Sequence, residues 1–428
     1  MPSIPNNSFG RVARAVALIS LVLVLVVLAF GAGVVASPAL MSQGAPQQPT
    51  ADLTKEFAPF WQVWSLVEDR YVFRQEIDHQ KMTYGAIEGM LAMLNDEGHT
   101  RFLSPSDLKA EQSSLEGQFD GIGAEVTVRN GRVTIVAPID GSPAEKAGLK
   151  PGDIIAKVDG VDVTDLSLSE VVAKIRGPRG TTVNIDVVHV GQSVVSSVAV
   201  VRQQIKTQMV TWAMVPGTTV AHLRITQFGQ STDNDLRLAL KEARAAGATS
   251  LIADVRNNPG GLLEQAVDVT SEFVDKGAVL LQEDRTGKRK SYDVLPGGQA
   301  LDLPTVVLIN EGSASASEIF AGALQDDKRA QLVGRKTFGT GTVLTPFPLA
   351  DGSELLLGTG QWLTPNGRAI RKQGIVPDVD IALLASAEIM TPREERTITA
   401  EALAKSTDAQ LLRAIELAKA AVPAAAAR

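Results

Sequence analysis

Two stretches decide how this chain folds: Ser250–Leu262, SLIADVRNNPGGL, and Thr305–Glu318, TVVLINEGSASASE. Each opens with an apolar run of strand length, breaks into a loop of small residues, and leads into a helical pattern. The first helix is expected from about Leu262 and the second through about Leu324. Strand, loop, helix and strand again is the grammar of βαβ units, so the sequence predicts an α/β core with a largely parallel sheet. In open α/β sheets the functional loops gather at the carboxyl ends of the strands. The loops NNPGG (257–261) and GSASASE (312–318) are therefore expected side by side at that edge.

Within the second loop, Ser315-Ala316-Ser317-Glu318 fits S-x-x-E, the pattern of a helix-capping box. A serine at a helix start, opposite a Gly-Gly turn, is also well placed for acyl transfer. Backbone N–H groups there can stabilise a developing oxyanion. Position alone leaves both roles open.

Working outward toward the N-terminus, the hydrophobic period changes. Residues 131–139 (GRVTIVAPI) and 181–190 (TTVNIDVVHV) read as strands, and 166–176 reads as an amphipathic helix with Leu168, Val172 and Ile175 on one side. Between them, Ala144, Ala147, Gly148, Leu149, Gly152, Asp153, Ile155 and Val158-Asp159-Gly160 spell AxxAGLxxGDxIxxVDG. This segment resembles a PDZ domain. The resemblance implies that a peptide C-terminus adds as a strand beside the helix at 166–176, while loop N–H groups capture its carboxylate. The matching loop is Gly121-Ile122-Gly123-Ala124, where glycine frees the backbone to turn its amides inward.

The motifs taken together resemble the carboxy-terminal processing proteases, serine peptidases that include the tail-specific proteases. The resemblance runs from residue 53 to 420. It includes YGAIEGMLAMLND, the PDZ segment, LIADVRNNPGGLL, VVLINEGSASASEIFAGALQD, TFGTG, LTPNGRAI, GIVPD (374–378) and DAQLLRAIELA. It implies an α/β, Clp/crotonase-like core at 201–398, with a PDZ domain inserted at 115–200. Helical segments are expected at 52–114 and 399–428. The family nucleophile falls on Ser315, and oxyanion donors fall on the amides of Gly260 or Gly261 and of Ala316. Protein or peptide C-termini are the implied partners, and no cofactor is implied. Oligomers built through the terminal helical parts are implied as well.

The general base departs from the family pattern. The family motif F-G-K-G-x-V-Q reads here Phe338-Gly339-Thr340-Gly341-Thr342-Val343-Leu344, so Thr340 stands at the lysine and Leu344 at the glutamine. A serine hydroxyl is a weak nucleophile until a neighbour accepts its proton, and threonine cannot serve as that base. Such assistance is typically worth about 10²–10⁴-fold. Lys336, His99 in the GHT loop and Lys372 are the candidate replacements. The four histidines show no H-E-x-x-H spacing, so no metal site is expected. Two functions follow from the pattern: a serine endopeptidase acting on unstructured C-termini, or a pseudoprotease that binds tails or partners without cleaving.

The whole chain supports this division. Its 428 residues suit two or three folded units, and 44% hydrophobic residues can supply a sizeable core. A net charge of −7 without a basic run argues against nucleic acid. The absence of cysteine excludes disulfides, thiol nucleophiles and thiolate-bound zinc. From Ala15 to Ala36 no charge occurs. As a helix this run is about 33 Å long, enough for a bilayer core of about 30 Å. Arg11 and Arg14 precede it, which places 1–14 in the cytoplasm and the body on the extracytoplasmic side. The small residues of VVASPA (34–39) leave signal cleavage open as the alternative to an anchor. Residues 37–51 read as a flexible linker. Beyond it, Phe57, Phe60, Trp61, Trp64, Leu66 and Val67 recur at helical spacing, as do Ile87, Met90, Leu91 and Leu94.

Overall fold

The computed structural model describes residues 51–425, except 97–98, 130, 140–141, 167, 193, 207 and 385–386. The expected membrane segment at 15–36 lies outside the described residues. Among those described, no helix is long and apolar enough to cross a membrane. The described residues up to Gln80 and those from Lys81 onward form two compact units. In the first, Ala51–Glu56 and Ala58–Arg70 are helices, the second where the aromatic spacing predicts one. The rings of Phe57, Phe60, Trp61 and Trp64 meet one another at 5.1–6.3 Å.

The second unit is organised by a six-stranded sheet. Its strands run in the order Val210–Met214, Val220–Ile225, Ser250–Asp254, Thr305–Ile309, Ala330–Gly334 and Val379–Asp380. All neighbours are parallel except the first pair. Every residue of Ser250–Asp254 and Thr305–Ile309 is buried, which explains why those runs show no polar alternation. Side chains alternate between the faces. Leu251, Ala253, Val307 and Ile309 pack with the helices Thr232–Ala245, Leu263–Ser271 and Ala316–Asp326. Ile252, Val306, Leu308 and Val333 pack with Leu411, Ala414, Ile415 and Ala418 of the helix Ala409–Ala425. The helical segment expected at 399–428 is broken: a short helix Ala400–Leu403 precedes the long one. Asp408 lies at the break, fully buried, with its carboxylate on Arg256 at 2.8 and 3.0 Å.

A second, antiparallel sheet is centred on Glu354–Leu363, which pairs with Thr342–Pro348, Ala278–Asp284 and Arg101–Leu103. The last pairing corrects the expectation of a purely helical segment at 52–114. Phe102 and Leu103 are both buried, and so short an apolar strand between helices shows no period of its own.

The PDZ-like segment forms its own sheet. Its order is Ala124–Arg129, Arg132–Pro138, Ile154–Val158, Thr182–Val188 and Val195–Val201, with the helix Leu168–Ile175 where an amphipathic one is expected. Val133, Ile135, Ile155, Val158, Val171, Val183 and Ile185 make its separate core. Chain entry and exit pair as a ribbon, Gln118–Gly121 with Gln203–Lys206.

Candidate active site

The parallel strands Ser250–Asp254 and Thr305–Ile309 deliver their loops to one edge, and hydrogen bonds fasten the loops together. Asn257 N–H donates to Asn310 Oδ1 at 2.8 Å, and Asn310 Nδ2 returns a bond to Asn257 Oδ1 at 2.7 Å. The Asn258 carbonyl accepts from Ala314 N–H at 3.0 Å and from Ser317 Oγ at 2.9 Å. Ser313 Oγ donates to the Val255 carbonyl at 2.8 Å. The two sequence-predicted loops are thus one structure.

Ser315 stands immediately before the helix Ala316–Asp326 with φ +53° and ψ −115°. A non-glycine residue in that region is strained, and such strain gathers where a side chain must be presented in a particular direction. Gly260 packs directly beneath it. A Cβ at Gly260, where φ is +99°, would lie 2.7 Å from Ser315 Cβ and 2.9 Å from Ala316 N. The Gly260 N–H is occupied by Asn258 Oδ1 at 2.9 Å. Residues 260–262 bridge to Phe228 through the Gly260 carbonyl and the Leu262 N–H, at 2.8 and 2.7 Å. The N–H groups of Gly261 and Ala316 are given to no acceptor among the described residues. Of the alternatives Gly260 or Gly261, the one with a free amide is Gly261.

Ser315, Gly261 and Ala316 line a cavity of about 770 Å³. Leu263, Ile319, Leu356 and Trp362 make much of its wall apolar.

The reciprocal cap expected of Glu318 is present from its side: Ser315 N–H donates to Glu318 Oε2 at 3.0 Å. The Glu318 carboxylate is completely buried and collects further donors: Thr337 Oγ1 at 2.6 Å, Gly339 N–H at 2.7 Å, Thr340 N–H at 2.9 Å and the Thr340 hydroxyl. Thr340 Oγ1 in turn accepts from Ser315 N–H at 2.7 Å. Glu318 therefore fastens the Ser315 loop to the 337–340 loop, a role the local capping pattern does not disclose.

The chain is similar to known proteins over most of its length. The profile of peptidase family S41 matches residues 219–381, and that of a PDZ domain matches 134–188. A carboxyl-terminal-processing protease of Synechocystis is 38% identical over 78% of this chain and 79% of its own. The chain belongs to this family. Another member, a carboxy-terminal-processing protease of Bartonella bacilliformis, is also 38% identical, over 82% of each chain. A solved structure described as a putative S41 protease from Bacteroides fragilis shares the fold, with a TM-score of 0.53 and 20% identity. It covers 75% of this chain and 90% of that one.

Against the family pattern, Thr340 and Leu344 both line the Ser315 cavity, so the two departures stand where the proton acceptor and its partner are expected. The three candidate replacements separate. Lys336 is exposed and lines neither this cavity nor its neighbour. Lys372 is exposed and lines only the adjoining cavity of about 340 Å³. His99 lines both, with Thr340 and Phe338. It is only 5% exposed, and neither ring nitrogen has a hydrogen-bond partner among the described residues. Burial pushes its imidazole below the ordinary value; nearby Asp96 opposes this while Arg101 and Arg371 add to it.

In the PDZ domain, Gly121 ends one strand and Ala124 begins the next, with Ile122 buried between them. The Ile122 and Gly123 carbonyls accept from Ala144 and Ile139 N–H, each at 2.8 Å. Their own N–H groups have no acceptor among the described residues. At Gly123 φ is +75° and a Cβ would lie 2.5 Å from Ser142 Cβ.

Proposed function

We propose that this chain is a serine endopeptidase that engages unstructured protein C-termini through its PDZ domain and cleaves them with Ser315. The observation that carries this reading is Ser315 itself, strained at φ +53° beside two unclaimed N–H groups. The Ser315 Oγ would attack the scissile carbonyl, and the Gly261 and Ala316 amides would hold the resulting oxyanion. Preorganised donors of this kind are worth about 10²–10³-fold each. The apolar wall suits an aliphatic side chain next to the cut bond. In the PDZ domain, the Ile122 and Gly123 amides would receive the terminal carboxylate of the tail. Residues 15–36 would anchor the body outside the cytoplasm or export it, so exported and membrane proteins are the expected substrates. Helical segments at either end would join copies into an oligomer.

A second reading rests on the base motif. Thr340 is engaged with Glu318 and Leu344 is apolar, so a tail-binding pseudoprotease would look the same in that corner of the site. Incubation of the full-length chain with an unfolded protein decides between them. We expect cleavage in the wild type and a loss of at least about 10³-fold in Ser315→Ala. Tail binding without turnover would instead establish the pseudoprotease.

A further inference from the structure

The cavity around Ser315 is lined by few groups that can titrate. The Glu318 carboxylate beneath it already receives five donors, from Ser315, Thr337, Gly339 and twice from Thr340. A carboxylate offers about four lone-pair sites, so none is left for the serine proton. On the cavity wall, Glu111 is held by Arg101 at 2.5 Å, and a guanidinium has no lone pair that could accept a proton. His99 is different. It is buried, lines the same cavity and has two nitrogens without partners among the described residues. Buried polar groups are ordinarily satisfied, and an orphan on the wall of the cavity that holds Ser315 marks a group held ready for a ligand or a proton.

We propose that His99 is the proton acceptor for Ser315, an imidazole doing here what the family lysine does at position 340 elsewhere. The inference rests on the peptidase reading of Ser315. In the forward step the Ser315 O–H proton passes to an imidazole nitrogen as Oγ bonds to the scissile carbonyl carbon. The carbonyl electron pair moves onto oxygen, facing the Gly261 and Ala316 amides. Collapse breaks the C–N bond, and the imidazolium returns its proton to the departing amine. Water then cleaves the acyl ester with the same imidazole accepting and returning a proton.

The surroundings suit an acceptor. Asp96 is committed to Arg371 at 3.0 Å and to Thr100 Oγ1 at 2.7 Å, so it gives His99 no ion pair that would lock the ring in its charged form. Arg101, Arg371 and Asp96 are the charged groups that act on it, and Lys372 and Glu111 line the cavities it borders. Desolvation and the two arginines favour the neutral ring, which is the form that accepts a proton.

The test uses a fluorophosphonate, which labels an activated serine by losing fluoride while the base takes the proton. Labelling of Ser315 in the full-length chain is followed from pH 5 to pH 9, by intact mass, with an unfolded protein as parallel substrate. We expect the wild-type rate to rise through one ionisation below about 6.5 and to be level at pH 7. His99→Gln should label about 10²–10⁴-fold more slowly and lose that acid limb. Added imidazole should restore part of the rate in His99→Ala, while Lys372→Met stays within about twofold of wild type. An unchanged rate and limb in His99→Gln would overturn the proposal while leaving Ser315 as nucleophile. No labelling of wild-type Ser315 would sink the peptidase reading and this proposal with it. If the His99 variants fail to fold, the wild-type profile still decides: a rate climbing only above pH 8 marks an amine base and refutes the imidazole.

Discussion

Deprotonation of His222 should destabilise the core between pH 6.5 and 9.5. This imidazole is fully buried in the strand Val220–Ile225, on the face covered by the C-terminal segment. Its Nδ1 meets Glu395 Oε1 at 3.1 Å and its Nε2 meets Asp254 Oδ2 at 3.3 Å. Burial alone would lower its pKa, but the two carboxylates more than offset this and raise it to about 9. The charged form is thus favoured by folding. The stabilisation is complete below the unfolded value of 6.5 and is lost as pH rises through about 9. At about 1.36 kcal/mol per unit, the shift is worth on the order of 3 kcal/mol. Glu395 should fail first: Asp254 keeps Arg256 at 2.8 Å, whereas Glu395 Oε2 has no partner among the described residues. The assay is urea unfolding at a series of pH values, with Trp212 and Trp362 reporting the core transition. With no cysteine in the chain, no thiol titrates in the same window. His222→Gln should be less stable at pH 6.5 and should lose the downward slope. A wild type whose stability is flat from pH 6.5 to 9.5, or a slope that survives in His222→Gln, would refute this account.

Two further outcomes follow from close backbone approaches. Gly260→Ala places a Cβ 2.7 Å from both Ser315 Cβ and the Ala314 carbonyl, at φ +99°. It should displace the Ser315 loop, lower Ser315 labelling by at least about 10²-fold, and cost about 1–3 kcal/mol of stability in the same urea assay. Wild-type labelling in that variant would show that the loop tolerates the displacement. Gly123→Ala drives a Cβ to 2.5 Å from Ser142 Cβ. Fluorescence anisotropy should show about tenfold or weaker binding of a labelled tail peptide, with labelling of Ser315 unchanged; unaltered affinity would move the carboxylate elsewhere.

Much of the fold was legible because its signals are local. Apolar runs of strand length followed by small-residue loops located the Ser250–Asp254 and Thr305–Ile309 strands. The capping pattern put Ser315 one residue ahead of its helix. The strand Arg101–Leu103 was not legible, since three residues carry no period and their partner Glu354–Leu363 lies some 250 residues further on. Nor was the double role of Glu318, whose donors arrive from a loop about 20 residues downstream.

By itself the sequence determined the parallel core, the inserted PDZ domain, the candidate nucleophile and the vacancy where a lysine is expected. These are properties of neighbouring residues and of their spacing. Only the tertiary structure decided which glycine keeps a free amide. It alone showed that Glu318 is saturated and that the imidazole of His99, a residue lining the Ser315 cavity, is unpartnered among the described residues. Those facts depend on which groups meet, and which are left without a partner, after segments far apart in the chain pack together and exclude water.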